Sequence, residues 1–171
     1  MDYTIDRMKA SDWPEVRLIY LEGIAGGNST FETEAPSWKK WDEAHLQIAR
    51  LVMRDANHVV GWGALSPVSK RSVYRGVAEV TVYVAENVRG QGIGRALLDA
   101  LVSGSERNGI WTLQASIFPE NTASVELHLR CGFREVGRRE RIATLNGIWR
   151  DTLLFERRSK TVGAQHSSVD K

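Results

Sequence analysis

EVTVYVAENVRGQGIGRALL, residues 79–98, opens with strand-forming residues in which Val80, Val82 and Val84 share one face and Glu79, Thr81 and Tyr83 the other. The chain then turns through Arg89-Gly90-Gln91-Gly92-Ile93-Gly94 into a helix whose apolar side carries Ile93, Leu97, Leu98 and Leu101. Glycines let a backbone bend sharply and come close to a ligand, and the free N–H groups of a helix N-terminus point toward whatever anion sits there. A pyrophosphate fits such a cradle. Two familiar glycine loops are excluded by spacing: GxGxxG would need glycine where Arg95 stands, and no GxxxxGK[ST] occurs.

Working outward, 171 residues and 42% hydrophobic content are the dimensions of one domain with a real core. We place that domain at residues 1–158, followed by a polar, aperiodic tail at 159–171 expected to be disordered. No apolar run reaches the roughly 18 residues of a membrane span, and the acidic, polar N-terminus is unlike a signal peptide, so a cytoplasmic protein without a membrane partner is expected. Cys131, the only cysteine, excludes an intramolecular disulfide and suits a reducing compartment. The net charge of +2 gives no support for a polyanionic partner. Arg134, Arg138, Arg139 and Arg141 are interrupted by Glu135 and Glu140, the pattern of a solvated face rather than a nucleic-acid groove. His45, His58 and His166 do not cluster with carboxylates at ligand spacing, so no metal is expected.

Before the central stretch, residues 3–7 alternate as a short strand. Asp12-Trp13-Pro14-Glu15 marks a helix start, and Ser37 caps a second helix with Trp38, Trp41 and His45 on one face. Residues 47–52 and 59–65 read as a hairpin turned at Asp55-Ala56-Asn57, and residues 66–76 as a polar loop. Beyond the central helix come a strand at 111–118, a helix at 123–130 closed by Gly132, and strands at 133–144 and 148–157 joined through Asn146-Gly147. The order predicts an α/β (α+β) domain, a mixed sheet of about seven strands flanked by four helices.

Arg-x-x-Gly-x-Gly between a strand and a helix resembles the coenzyme A loop of the GCN5-related N-acetyltransferases (GNAT superfamily). Asn121-x-x-Ser124-x-x-Leu127-His128-x-x-x-Gly132-Phe133 resembles the second signature of that superfamily. EVTVYV with His128, Gly147-Ile148-Trp149-Arg150-Asp151 and Ser29-Thr30-Phe31-Glu32-Thr33-Glu34 are similar to one branch, the phosphinothricin and methionine sulfoximine acetyltransferases. The resemblance covers about residues 3–158. It implies a strongly twisted sheet split between the strands of Glu79 and Thr112, with acetyl-CoA in the split. Val82 and Val84 N–H groups would pair with the pantetheine arm, one polarising the thioester carbonyl, while Gly90, Gln91, Gly92, Ile93, Gly94 and Arg95 with Arg89 hold the pyrophosphate. Asn121 and Ser124 join this cofactor set.

The same resemblance implies acetyl transfer to a primary amine, which must lose a proton before it attacks. Glu79 is the one acid on its strand and is assigned general base, with pairing to an arginine or to the substrate ammonium as the alternative role. His128 either gives a proton or hydrogen bond to the departing sulfur or serves packing and pantetheine binding. Arg75 is expected to grip a substrate carboxylate, or else is a solvated loop residue, while Phe31 and Tyr83 shape the side-chain pocket. The leading expectation is therefore an N-acetyltransferase of a small amino acid such as methionine sulfoximine, methionine sulfone or phosphinothricin, acting as a homodimer through the Trp149 hairpin. Its competitors are an acetyltransferase of protein N-termini, lysines or polyamines, and a non-catalytic acetyl-CoA-binding module.

Overall fold

A computed structural model describes residues 2–164. The tail at 165–171, with His166, lies outside the described residues. The strands are β1 (Tyr3–Arg7), β2 (Leu51–Asp55), β3 (His58–Pro67), β4 (Val77–Val84), β5 (Thr112–Ile117), β6 (Arg134–Leu145) and β7 (Ile148–Arg158). The α-helices are α1 (Trp13–Ala25), α2 (Trp38–Ala44), α3 (Ile93–Arg107) and α4 (Thr122–Arg130). One seven-stranded sheet runs in the order β1-β2-β3-β4-β5-β7-β6, antiparallel throughout except for the parallel β4–β5 pair. The expected mixed sheet with four helices is thus what the chain forms.

The central stretch folds as its periodicity dictates. Ile93, Leu97, Leu98, Leu101 and Val102 are buried along one side of α3. β3 accepts that helix closely, since a Cβ at Gly61 would stand 3.1 Å from the side chains of Ile93 and Leu97. Buried residues fall into two clusters, one with α1, Trp41 and Trp62, the other with Leu98, Leu113 and Phe155, and half-buried Val82 of β4 packs against both.

β4 and β5 pair over only three positions, Val77 with Thr112, Ala78 with Leu113 and Glu79 with Gln114. Beyond Glu79 the two strands part. β5 keeps its pairing with β7 through Ile117, and β4 keeps its pairing with β3 through Val84, so the sheet is split on one line only.

Three of the departures from the sequence reading have a visible cause. β2 begins at Leu51, not at 47, because buried Arg50 ties down the segment before it. Its guanidinium donates to the carbonyls of Leu46 (2.7 Å), Asp42 (2.8 Å) and His45 (2.8 Å), and Ala49 takes a positive φ of 50°. β4 starts two residues early, at Val77, since the Gly76 carbonyl accepts from Trp111 and Thr112 and begins the parallel pairing there. The first residues after β7 are held to the fold: Ser159 is buried, and its hydroxyl donates to Glu106 at 2.8 Å. Arg158 holds the next turn through the carbonyls of Val162 and Gly163. The Asn146-Gly147 hairpin is as expected, with φ of 51° and 78°, the left-handed pair that a two-residue loop needs.

Candidate functional site

The split opens into a cleft of about 840 Å³. Backbone builds its first half. Ala85 N–H donates to the Val60 carbonyl across the β3–β4 ladder, and residues alternate along a strand, so the N–H groups of Thr81 and Tyr83 also face β3. Those of Val82 and Val84 therefore face the split, where β5 no longer pairs with β4. The Val84 carbonyl on the same side is met by Arg89 Nε at 3.2 Å.

Past Arg89 the glycine loop wraps onto α3. Gly90 and Gly92 adopt φ of 78° and 82°, and nothing lies within 4 Å of where their Cβ atoms would be. The loop needs glycine for conformation and leaves room in front. No side chain caps α3, whose first backbone bond is Ala96 N–H to the Gly92 carbonyl, so the earlier N–H groups are left for a ligand. Arg89, Gly90, Gly92, Ile93 and Gly94 line the cleft. Gln91 and Arg95 do not: Gln91 accepts from the Tyr3 hydroxyl at 2.6 Å, and Arg95 pairs with Asp99. Parted strand edge and uncapped helix end together fit the pantetheine arm and pyrophosphate of coenzyme A. On the opposite wall Asn121 caps α4 by accepting from Ser124 N–H at 3.2 Å, and both residues line the cleft.

Glu79 sits at the fork, half-buried, with Oε2 accepting from Gln114 Nε2 at 3.0 Å. His128, buried on α4, brings its Nδ1 to 2.7 Å from the Ser124 carbonyl. A carbonyl only accepts, so the ring carries its proton on Nδ1 and turns a lone pair outward on Nε2. Burial also depresses its pKa below the ordinary 6.5, opposed by that same hydrogen bond. At neutral pH His128 is a proton acceptor at Nε2 rather than a ready donor.

Side chains build the second half. Tyr20 of α1, Trp41 of α2, Trp62 of β3 and Tyr83 of β4 converge, Trp62 stacking on Tyr83 at 5.0 Å and Tyr20 meeting both edge-on. Tyr83 lies over α1 where Gly23 leaves space, since a Cβ there would fall 2.4 Å from the ring. Desolvation pushes the Tyr83 and Tyr20 phenols up, partly offset by hydrogen bonding to Thr30, so both stay protonated. Among the described residues the buried side-chain polar atoms without a hydrogen-bond partner are the indole N–H groups of Trp41 and Trp62. Their rings meet edge-on at 76°, the arrangement in which ring edges face a π surface. Thr30, Phe31, Glu32, Lys40 and His45 complete this chamber.

Of the expected site residues, Glu79, His128, Val82, Val84, Asn121, Ser124, Phe31 and Tyr83 come together around the cleft with most of the glycine loop. Arg75 does not. It is exposed on the turn after Tyr74, bonds the Ser72 carbonyl at 3.4 Å and rests its guanidinium 5.5 Å from the Trp111 ring. Gln114, Lys40 and Trp62 were missed, for their local sequence carries no sign of the cleft. Only the register that puts Gln114 opposite Glu79, and Trp62 opposite Tyr83, finds two of them.

Comparison with known proteins agrees with this geometry. Residues 10–133 match the family model described as Acetyltransferase (GNAT) family. The chain is 30% identical over 166 residues to phosphinothricin N-acetyltransferase of Alcaligenes faecalis, covering 90% of this chain and 81% of that one. It is 29% identical over 163 residues to an L-methionine sulfoximine/L-methionine sulfone acetyltransferase of Pseudomonas paraeruginosa, covering 91% and 94%. The crystal structure of a phosphinothricin acetyltransferase from Sinorhizobium meliloti in complex with acetyl-CoA superposes with a TM-score of 0.87 at 27% identity, covering 99% of this chain and 95% of that one. With a split sheet, an uncapped glycine turn and a family match spanning both, the chain belongs to the acetyltransferase (GNAT) family of acetyl-CoA-dependent N-acetyltransferases.

Proposed function

We propose that the protein acetylates the α-amino group of a small amino acid of the methionine sulfoximine, methionine sulfone or phosphinothricin type. The observation that carries this reading is the position of Glu79. Its carboxylate stands where the sheet forks, between the strand edge fitted to the pantetheine arm and the aromatic chamber. The relatives that act on such amino acids support the substrate class. Acetyl-CoA supplies the acetyl group as a thioester; the residues supply the proton chemistry and the electrostatics.

In this reading Glu79 takes a proton from the arriving ammonium, directly or through a water, and Gln114 holds the carboxylate toward it. The N–H groups of Val82 and Val84 hold the arm, and one stabilises the oxyanion that develops when the amine attacks. The amine nitrogen must shed a second proton and the sulfur must gain one. His128, with its lone pair on Nε2, relays that proton between them, a role that differs from a standing acid. An amino-acid substrate also brings a carboxylate. Lys40 and Arg89 are the only lysine or arginine residues lining the cleft among the described residues, and Arg89 stands at the pyrophosphate end. We assign the carboxylate to Lys40, with Arg75, on the turn that precedes β4, as the competing partner.

A homodimer belongs to the same proposal. Ile142, Ile148 and Trp149 are exposed on the β6–β7 hairpin, Trp149 to 59%, an apolar patch that a second copy would cover. Light scattering of the protein and of Trp149→Glu tests it, a monomeric wild type refuting the dimer.

Thiol release from acetyl-CoA against a panel of amines tests the function. Rapid turnover of methionine sulfoximine, methionine sulfone or phosphinothricin is the expected result. Turnover of peptides or polyamines alone would replace the substrate reading, and acetyl-CoA binding with no turnover of any amine would favour a non-catalytic module.

A further inference from the structure

The segment at 26–36, between α1 and α2, carries five residues of the cleft lining, Ser29, Thr30, Phe31, Glu32 and Pro36, yet contains neither helix nor strand. Its backbone polar groups have no ladder of their own and need partners from elsewhere. The Gly27 carbonyl finds one in Arg150, on β7 and 122 residues along the chain from Asn28, which the same guanidinium also holds by its side chain. Nη1 donates to the Gly27 carbonyl at 3.1 Å, and Nη2 to Asn28 Oδ1 at 2.8 Å and to Glu120 Oε2 at 3.2 Å. The guanidinium lies 4.1 Å from the centroid of Phe118, and Phe118 in turn meets Phe31 edge-on at 4.8 Å. The Arg150 side chain is only 15% exposed. Asn121 adds a second tie, its Nδ2 donating to the Asn28 carbonyl at 3.0 Å. Within the segment the Thr30 hydroxyl accepts from the Glu32 N–H at 3.1 Å.

We infer that Arg150 is a positioning residue for the acceptor: it straps the 26–36 segment to β7 and the end of β5, and so sets where Phe31 and Glu32 stand in the chamber. A planar fork with fixed donors suits this task, because two hydrogen bonds to adjacent residues and one stacking face leave the strap a single position. Arg150 does not itself line the cleft, so it acts through the segment and not on the substrate. The consequence for kinetics rests on the proposed acceptor class; the strap itself does not.

Two measurements on Arg150→Ala separate those parts. Hydrogen exchange of the amides at 27–34 should accelerate at least tenfold while exchange in α3 is unchanged; unchanged exchange at 27–34 overturns the strap. In steady-state kinetics the acceptor KM should rise about tenfold, with the acetyl-CoA KM within twofold of wild type. An equal rise in both overturns the positioning role. Arg150→Lys keeps the charge but not the fork, and should recover part of the acceptor KM. If Arg150→Ala does not fold, Asn28→Ala removes one contact from an exposed position and should shift both readouts in the same direction, and no shift in either would refute the inference. A wild-type protein that acetylates none of the amino acids would refute the substrate reading while leaving the exchange result to decide the strap.

Discussion

The two halves of the cleft are made of different material. The cofactor half is backbone, a strand edge freed of its partner and a helix start without a cap, and it comes almost whole from residues 82–94. The acceptor half is side chains, brought from α1, α2, β3, β4 and the irregular segment at 26–36. A backbone surface can recognise only what every coenzyme A molecule shares. A surface of side chains can be altered one residue at a time, and in the proposed reading that is where substrate choice resides.

The sharpest test of this division is Glu79, which stands on its border. Glu79→Gln should lower kcat about a hundredfold or more, with the acetyl-CoA KM unchanged. An unaltered rate would move the base elsewhere. Next in size, Gly92→Val should act on the cofactor half alone. The left-handed φ of 82° costs a β-branched residue about 1–2 kcal/mol, and its side chain would fill space that the phosphates need. Thermal melting should show the modest stability loss and steady-state kinetics a larger rise in acetyl-CoA KM, while the acceptor KM holds. Lys40→Ala and Arg75→Ala then probe the acceptor half. A charged hydrogen bond is worth about 1.5–3 kcal/mol, so the variant that removes the carboxylate partner should raise the acceptor KM at least tenfold and leave that of the corresponding amino amide unchanged. We expect this of Lys40; the effect appearing in Arg75→Ala instead would return that residue to the site.

The smallest effect is on stability against pH, and it joins the halves. Burial lowers the pKa of His128 on the cofactor side and of His45 on the acceptor side below 6.5. The unfolded chain therefore binds protons at these positions before the folded one does. Stability is complete above 6.5 and is lost as the pH falls through the folded values. Melting temperature should decline from about pH 7 to pH 5, and His128→Gln should flatten part of that decline.

How much could be read in advance follows the same division. Alternation in residues 79–84 and the glycines after Arg89 are local facts, and they led to the strand, the turn, the helix and an anion cradle, while coenzyme A came from the resemblance. Asn146-Gly147 specified its hairpin for the same reason, since only such residues take two left-handed φ values in succession. Arg50 could not be read this way. A guanidinium that captures three carbonyls from residues 42–46 looks, in sequence, like any strand arginine, and it moved the start of β2 by four residues. Arg75 shows the opposite case, its spacing from Glu79 matching the resemblance while its side chain rests on Trp111, outside the cleft lining.

By itself the sequence determined the elements, the order in which they occur, the glycine turn and the identity of the acid at the fork, because each depends on neighbours within a few residues. Only the tertiary structure decided at which residue β4 and β5 separate, that the His128 proton resides on Nδ1, and that Arg150 reaches back to hold Asn28. Those outcomes depend on which distant groups compete for the same hydrogen bonds, and that competition exists only once the chain has folded.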